Sequence, residues 1–242
     1  MGRSGAITPL AILEPVLIDG SVVQRATLHN QDYIEKHDFR PGDRVKLRKA
    51  GEIIPEVFAV DKEARSGDSE PWTFPTHCPA CHSELLRLPG EAVTRCTGTN
   101  CSAQLERHLE HFASKGAMDI QGLGPKRITK LMQEGFLDGV DDLYRLKDHR
   151  EEMIAWEGYG EASVEQLLSS IESSKAQAPH RLLTGLGIPL IGETVAKLLI
   201  DAYGGIREVQ ASQDTWEDVE GIGPEIAASL KTFFDSENNQ KL

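Results

Sequence analysis

Four cysteines in one short window constrain the fold of this chain more than any other sequence feature. They occur as Cys78-Pro-Ala-Cys81 and Cys96-Thr-Gly-Thr-Asn-Cys101, and the rest of the sequence contains none. Two close pairs match the way a tetrahedral metal takes thiolates from two facing turns. Turn-forming residues lie inside both pairs, at Pro79, Gly98 and Asn100. The spacing predicts a Cys₄ site for Zn²⁺.

A closed Cys₄ site leaves no open position for substrate, so the predicted zinc is structural and not catalytic. Two disulfides or unrelated buried thiols are the alternatives, but nothing marks the chain as secreted. His77 and His82 flank the first pair, and either could replace a cysteine as ligand. Four thiolates already complete the coordination sphere, which favours the cysteines.

Charge and hydropathy restrict the cellular setting and the mode of any nucleic-acid contact. No apolar stretch approaches the ~20 residues that span a bilayer, and the N-terminus has neither a signal core nor a myristoylation pattern. A reducing cytoplasm is therefore expected. The net charge is −12, and residues 112–242 contribute −9 of it. DNA contact in that half must use backbone groups and a few placed cations.

Residues 1–70 are predicted to form a small Greek-key β-barrel of the OB type. Short β-prone runs with one interrupting helix support this, at 15–19, 21–26, 44–48 and 56–60, with the helix at 31–37 capped by Asn30. Basic residues line the third strand and its end, at Arg44, Lys46, Arg48 and Lys49. Composition leaves open whether this basic face is only solvated or contacts phosphate.

The next region begins with a polar linker over residues 62–77. The zinc-finger segment is predicted over 71–111, with a helix at 104–113. Residues 112–236 then form the third predicted domain, and residues 237–242 are expected to be a flexible tail. The predicted fold class is multidomain α+β, comprising the OB-type barrel, the zinc knuckle and an all-α repeat domain.

The repeat domain contains four copies of a tight turn followed at once by an amphipathic helix. The turns start at residues 122, 158, 190 and 221, steps of 36, 32 and 31 residues. Their sequences are Gly122-Leu-Gly124, Gly158-Tyr-Gly160, the degenerate Leu190-Ile-Gly192, and Gly221-Ile-Gly223. Pro125 and Pro224 occupy first helical positions, where a missing N–H costs nothing. This pattern is typical of helix-hairpin-helix units.

Glycine suits these turns for two reasons. It permits φ > 0, and it lets main-chain N–H groups and the helix N-terminus approach a phosphate. Lys126 and Arg127 make the first copy the strongest candidate, whereas Glu157, Glu161, Glu220 and Glu225 weaken the second and fourth. A single hairpin could be only an interhelical turn, but four hairpins in register favour sequence-independent DNA binding.

The order of these regions resembles the C-terminal half of bacterial NAD⁺-dependent DNA ligase. Local sequence motifs support this resemblance, which extends over residues 2–235. These motifs are Gly2-Arg-Ser-Gly-Ala-Ile-Thr-Pro9, Arg25-Ala-Thr-Leu-His-Asn30, Lys49-Ala-Gly-Glu-Ile-Ile-Pro55, Gly116-Ala-Met-Asp-Ile-Gln-Gly-Leu-Gly124 and Leu186-Gly-Ile188. The resemblance implies a clamp around nicked duplex DNA. It implies that Arg3 and Ser4 contact DNA and that Ile53 and Ile54 contact the minor groove. Lys49 occupies a position that carries a basic residue in the family and is included among the implied DNA contacts. Spacing alone would instead place Ile53 and Ile54 in the barrel core.

The adenylation motif Lys-x-Asp-Gly of the family does not occur in the 242 residues. The resemblance therefore implies that NAD⁺ and Mg²⁺ act only through a separate adenylation domain of the same ligase, and no catalytic residue is assigned here. Two interpretations remain open: a part of a longer enzyme, and a short DNA-binding protein derived from one. A nuclease is disfavoured, because no motif clusters the acids and histidines of two-metal chemistry.

Overall fold

The computed structural model describes residues 1–51, 53–236 and 239. The chain groups into two compact units, Met1–Gln104 and Leu105–Leu242. The predicted division at residues 70 and 111 remains a prediction. The predicted tail lies outside the described residues, apart from Asn239. None of the described helices has the length and apolar character to cross a lipid bilayer.

The first unit contains the β-structure of the described chain. Its elements are β1 (Ala6–Ile7), β2 (Leu10–Ile18), β3 (Ser21–Thr27), α1 (Gln31–His37), β4 (Val45–Ala50), β5 (Ile54–Val60), a 3₁₀ turn (Lys62–Ala64), β6 (Leu85–Arg87) and β7 (Thr94–Cys96). A curled four-stranded sheet has the order β2-β3-β5-β4. A second sheet has the order β1-β7-β6, so the N-terminal strand pairs with the cysteine-bearing segment.

The predicted strands and helix of the barrel form, but the strand boundaries shift: β3 ends at Thr27, β4 spans Val45–Ala50 and β5 begins at Ile54. Helix α1 spans the predicted residues, and the Asn30 side chain accepts a 2.9 Å hydrogen bond from the Tyr33 N–H. The first strand was expected at 15–19 but runs from Leu10 to Ile18. Pro15 interrupts the pattern because it cannot donate to a ladder. The register shift between Ile12 and Val16, on an edge strand, accommodates it.

The predicted linker is fastened to the barrel by an ion-pair network. Arg65 donates from Nε to Asp43 at 2.8 Å and from Nη1 to Asp38 at 2.5 Å. Arg40 bonds Asp38 and also donates to the Ser69 carbonyl at 2.6 Å. Hydrogen bonds from Arg40 and Arg65 lower the pKa of Asp38 to about 2. The segment after β5 therefore lies against the barrel despite its polar, loop-like composition.

The second unit is helical. Its elements are α2 (Ser102–Ala113, entered from the first unit), α3 (Pro125–Gln133), a 3₁₀ segment (Asp141–His149), α4 (Arg150–Ile154), α5 (Glu161–Ser174), α6 (Pro179–Gly185), α7 (Glu193–Tyr203), α8 (Ile206–Ala211), a 3₁₀ segment (Gln213–Asp218) and α9 (Pro224–Phe234). The helix expected at 104–113 begins two residues earlier. The four helices predicted after the turns are α3, α5, α7 and α9.

Two hydrophobic cores divide the four hairpins into pairs. The first core includes Leu123 and Ile128 of the first hairpin with Val164 and Leu167 of α5. The second includes Ile191 and Leu199 of the third hairpin with Ile222 and Leu230 of the fourth. Each hairpin is therefore built against its sequence neighbour, as the predicted repeat requires, because one hairpin cannot bury its apolar face alone.

Candidate metal centre and nucleic-acid interface

The four cysteines converge in the first unit. Their Sγ atoms all lie within 4.8 Å of one another, with Cys78–Cys101 at 3.9 Å and Cys81–Cys96 at 3.4 Å. Tetrahedral Zn²⁺ with Zn–S bonds of about 2.3 Å places its thiolates about 3.8 Å apart. A disulfide would bring two sulfurs to about 2.05 Å, and all four thiols are unbonded. The geometry therefore fits zinc and excludes the disulfide alternative.

Histidine is not part of this cluster. Among the described residues, the grouping of potential metal ligands here consists of the four cysteines alone. The exposed His77 ring instead lies 2.9 Å from the Thr76 hydroxyl through Nδ1. His82 has a φ of 58° and its N–H donates to the Cys78 carbonyl, so its backbone shapes the first knuckle. Substitution of a cysteine ligand by either histidine is not supported.

The chemistry of the thiols also fits a cation. Burial raises the pKa of Cys96 to about 12 and raises that of Cys101, whereas hydrogen bonds from Ser83 lower that of Cys81 to about 6. Buried thiols with raised pKa values need a dication nearby to ionise at neutral pH, and a coordinating metal deprotonates them. A Zn²⁺ ion bound by Cys78, Cys81, Cys96 and Cys101 would stabilise this fold and supply no reaction.

Gly98 has a role that differs from the one expected. It was predicted as a turn former, but its φ is not positive. A Cβ at this position would lie 2.8 Å from the Cys81 sulfur and 2.7 Å from the Ser83 hydroxyl oxygen. Its N–H also approaches the Cys96 sulfur at 3.3 Å. The second knuckle therefore needs glycine for space, because the two knuckles approach each other here.

The N-terminal motif lies beside the cysteine centre. Gly5 has a φ of 75°, and a Cβ there would meet the Cys96 carbonyl at 2.8 Å. Its carbonyl accepts a 2.9 Å hydrogen bond from the Cys96 N–H. Arg3 and Ser4, the predicted DNA contacts, are exposed, and Arg95 donates to the Ser4 hydroxyl at 3.2 Å. The segment that carries the cysteines thus holds the Ser4 side chain through Arg95 and the Gly5 backbone through Cys96.

Ile53 lies in the turn between β4 and β5, Ile54 is the first residue of β5, and both side chains are exposed to solvent. Their exposed fractions are 79% and 57%, so the alternative of barrel core is wrong. The half-buried Lys49 precedes this turn. Glu52 of the same motif lies outside the described residues. Two exposed β-branched apolar residues beside a lysine form a surface that suits contact with a nucleic-acid groove.

A shallow depression of about 400 Å³ adjoins this turn and adds residues that sequence reasoning did not assign. Val22 and Arg25 of β3 line it together with Lys49 and Ile53. Val22 is 65% exposed. A signal for Arg25 was present, because it begins one of the motifs that carry the family resemblance. Arg48 of the predicted basic face does not line this depression. It is instead bound to the buried Glu56 at 2.5 Å, and its guanidinium lies over the Phe58 ring.

The four hairpins of the second unit share one backbone conformation. The first turn residue has a positive φ in each, 84° at Gly122, 81° at Gly158, 66° at Leu190 and 93° at Gly221. The second glycine is the helix N-cap, with φ between −94° and −87°, at Gly124, Gly160, Gly192 and Gly223. Positive φ is therefore needed only at the first position, a division of roles that the sequence did not reveal.

The N-cap glycines leave the helix N-termini accessible. A Cβ built on any of the four would have no heavy atom within 4 Å beyond the neighbouring residues in the chain. The first N–H groups of a helix lack intrahelical acceptors and carry partial positive charge. Helices α3, α5, α7 and α9 thus present open backbone donors at which phosphate oxygens can bind. Neither φ nor internal packing therefore requires glycine at these positions.

The two cations predicted in the first hairpin have different environments. Lys126 is exposed, and within the described part of the chain its ammonium makes no ion pair or hydrogen bond. Arg127 donates to the Ser163 hydroxyl at 2.6 Å, and its guanidinium lies 4.9 Å from the centre of the Tyr159 ring. Arg127 therefore connects the first hairpin to the second, whereas Lys126 is available for phosphate.

This difference predicts separable effects on DNA binding. Lys126→Ala should reduce the slope of log affinity against log salt by about one, because one phosphate–cation contact is lost. Arg127→Ala should leave that slope unchanged and lower the unfolding temperature, because it removes a hydrogen bond and a cation–π contact. Fluorescence anisotropy over a salt series and thermal unfolding measure both. A reduced slope for Arg127→Ala would show that the guanidinium contacts phosphate.

Acidic side chains accompany the second and fourth hairpins as expected, but one is neutralised. Glu161 accepts a 2.8 Å hydrogen bond from Arg150, which also binds Glu165. Glu157 and Glu220, directly before the first turn glycines, are exposed. In the third hairpin Glu193 pairs with Lys197 at 2.6 Å, which lowers the Glu193 pKa. The first and third hairpins therefore offer phosphate the less repulsive surfaces.

A curled OB-type sheet, a Cys₄ centre and paired hairpins define the class of modular proteins that combine an OB-fold, a zinc finger and helix-hairpin-helix repeats. Comparison with protein families agrees segment by segment. Residues 1–69 match the NAD-dependent DNA ligase OB-fold domain, and residues 77–103 match the NAD-dependent DNA ligase C4 zinc finger domain. Residues 181–242 match the helix-hairpin-helix motif.

Relatives that align with nearly the whole of this chain are also DNA ligases. The chain is 48% identical to a DNA ligase of Symbiobacterium thermophilum, over 100% of this chain and 36% of the relative. It is equally similar to a DNA ligase of Thermoanaerobacter sp., and 48% identical to one of Bacillus pumilus over 98% of this chain and 35% of the relative. The chain thus corresponds to the OB-fold, zinc-finger and helix-hairpin-helix region of NAD-dependent DNA ligases, and spans about a third of these relatives.

Proposed function

We propose that this chain is the DNA-contacting region of an NAD⁺-dependent DNA ligase that acts in cytoplasmic DNA replication and repair. The observation that carries the proposal is the set of four hairpins with accessible helix N-termini. Their N-cap glycines have no steric requirement inside the fold, so their absent side chains serve a partner that approaches the backbone. A phosphate backbone suits such donors in an acidic protein, because it is bound without a broad basic field.

The first unit supplies the second contact surface. Arg3, Ser4 and Lys49 provide polar and cationic groups, and the exposed Ile53 and Ile54 provide an apolar edge. Apolar edges that press into a minor groove bind best where the duplex bends easily. A nick removes one backbone connection and eases bending. This surface therefore favours nicked over intact duplex.

Binding to matched DNAs tests the proposal. Nicked duplex, intact duplex and single strand of the same sequence are titrated with the chain by anisotropy. We expect binding to both duplexes, little sequence preference, and tighter binding to the nicked one. The salt slope should be shallow, roughly 3–5, because few exposed cations meet the DNA. Replacing Ile53 and Ile54 with serine should reduce the preference for the nick. Absence of duplex binding by the folded chain would refute the proposal.

The proposed division of labour predicts that the chain alone does not react with NAD⁺. The nucleophilic lysine motif is absent from the sequence, so NAD⁺ and Mg²⁺ would act through the adenylation domain. Incubation with labelled NAD⁺, Mg²⁺ and nicked DNA should give neither an adenylylated protein nor a sealed strand. The matched positive control incubates the chain with pre-adenylylated nicked DNA and a separately supplied adenylation domain, and sealing of the strand is measured. Covalent transfer of AMP to a lysine of this chain would overturn the division.

A further inference from the structure

The third hairpin differs from the other three at its first turn residue. It places Leu190 where the others have Gly122, Gly158 and Gly221, yet its backbone adopts the same positive φ, 66° against 81–93°. The N-cap that follows, Gly192, also matches the others. The conformation is therefore retained although the residue that favours it is absent.

Leucine at this position is unfavourable for the free protein. An L-residue with a Cβ is strained at positive φ, and leucine cannot offset that strain with the local hydrogen bonds that asparagine or aspartate make. The Leu190 side chain is also 59% exposed. It is the single large hydrophobic side chain that is exposed among the described residues of the second unit. Strain and exposure at one functional turn indicate that the side chain serves a contact outside the fold.

Neighbouring contacts hold the Leu190 tip in place. The Ser229 hydroxyl, on the helix of the fourth hairpin, donates a 2.6 Å hydrogen bond to the Pro189 carbonyl. Ile191 is 4% exposed and anchors the other side in the second core. Glu193 is paired with Lys197, and Pro189 stands where the second and fourth hairpins have Glu157 and Glu220. The tip is thus fixed, apolar and free of an acidic side chain before its turn residue.

We propose that the third hairpin holds duplex DNA through the Leu190 side chain, packed against a deoxyribose of the DNA backbone beside the phosphate at the α7 N-terminus. This inference rests on the proposed function. Deoxyribose presents apolar C–H groups next to every phosphate, so a leucine that projects beside a phosphate-binding N-terminus meets a sugar. Backbone contacts carry no direct sequence information, and the contact should not create base preference.

Leu190→Gly separates this role from a structural one, because the two effects have opposite signs. The substitution restores the Gly-x-Gly pattern and relieves strain, so the unfolding temperature should rise. Affinity for nicked duplex should nevertheless fall about 5-fold, because a partly buried apolar side chain is lost. The salt slope should not change, since no charge is removed. Leu190→Met should keep the affinity, and Leu190→Asn, which tolerates positive φ but is polar, should lose it.

The outcomes are distinguishable from failure of the proposed function. If the parent binds duplex DNA and Leu190→Gly binds equally or more tightly, Leu190 is only tolerated and the inference is wrong. Equal affinities of the Met and Asn variants would overturn it too, because apolar character would then not matter. If the parent itself binds no duplex, the proposed function fails first and this inference fails with it. Anisotropy at three salt concentrations with thermal unfolding of each variant decides among these.

Discussion

Replacing Cys96 with alanine should remove zinc from this chain and unfold residues 77–101, while the helices of the second unit stay folded. Structural zinc sites contribute about 10–16 kcal/mol of binding free energy at neutral pH, as much as a whole domain's stability. The segment has little else to replace it, since its buried cluster consists of Cys78, Cys96 and Cys101 themselves. Short strands β6 and β7 cannot persist alone.

Metal analysis and hydrogen exchange measure this result. The parent should contain one zinc per chain, and Cys96→Ala should contain none and lose amide protection over 77–101. His77→Ala is the matched control, because that exposed histidine flanks the site without joining it. It should retain full zinc. A metal-free parent with intact protection over this segment would contradict the assignment, and zinc loss in the histidine control would contradict the ligand set.

Gly124→Val should weaken binding to nicked duplex about 10-fold or more without disturbing the fold. The Gly124 backbone has φ −87° and ψ 171°, a conformation that valine adopts readily. Its Cβ would point into open space, so no internal contact changes. The added side chain instead occupies the approach to the α3 N-terminus, where charge-assisted N–H bonds to a phosphate would be lost.

Substitutions at other glycines supply controls with graded expected effects on DNA affinity. Gly67→Val, also in open space but in the linker, should leave DNA affinity unchanged. Gly160→Val should have a smaller effect than Gly124→Val, because Glu157 already weakens the second hairpin. Gly122→Val is less informative, since it combines positive φ with a tight contact against the Arg127 side chain. Unchanged affinity of the folded Gly124→Val protein would mean that the first hairpin is only a turn and that the barrel surface carries the binding.

Local signals explain what the sequence could predict. The four zinc ligands follow from spacing inside two short loops, and Asn30 marks the start of α1 by its own hydrogen bond. The hairpin helices follow from a glycine or proline at the start and an apolar stripe behind it. Each of these depends on neighbours within a few residues. The barrel strands were found less accurately, because Pro15 conceals the first half of β2.

Features that depend on distant parts of the chain escaped prediction. The role of Gly98 arises from its approach to Cys81 and Ser83 and not from a positive φ, and Gly5 combines a positive φ with close approach to Cys96. The contacts of Arg127 with Ser163 and Tyr159 were not foreseen, because those partners belong to another repeat. The exposure of Ile53 and Ile54 was also invisible to spacing, which favoured the core. Only the family resemblance indicated their surface position.

The pairing of β1 with β7 governs the order in which this protein can fold. Ala6 pairs with Arg95 and Ile7 with Thr94, so the first strand has no partner until the ribosome has made the cysteine segment. Closing so long a loop is entropically costly and slow, and contacts of this kind form late. Because zinc would stabilise the segment that contains β7, we expect metal binding to promote docking of the N-terminal strand. During synthesis under zinc limitation, we expect Arg3 and Ser4 to remain accessible to proteases after the barrel sheet has formed.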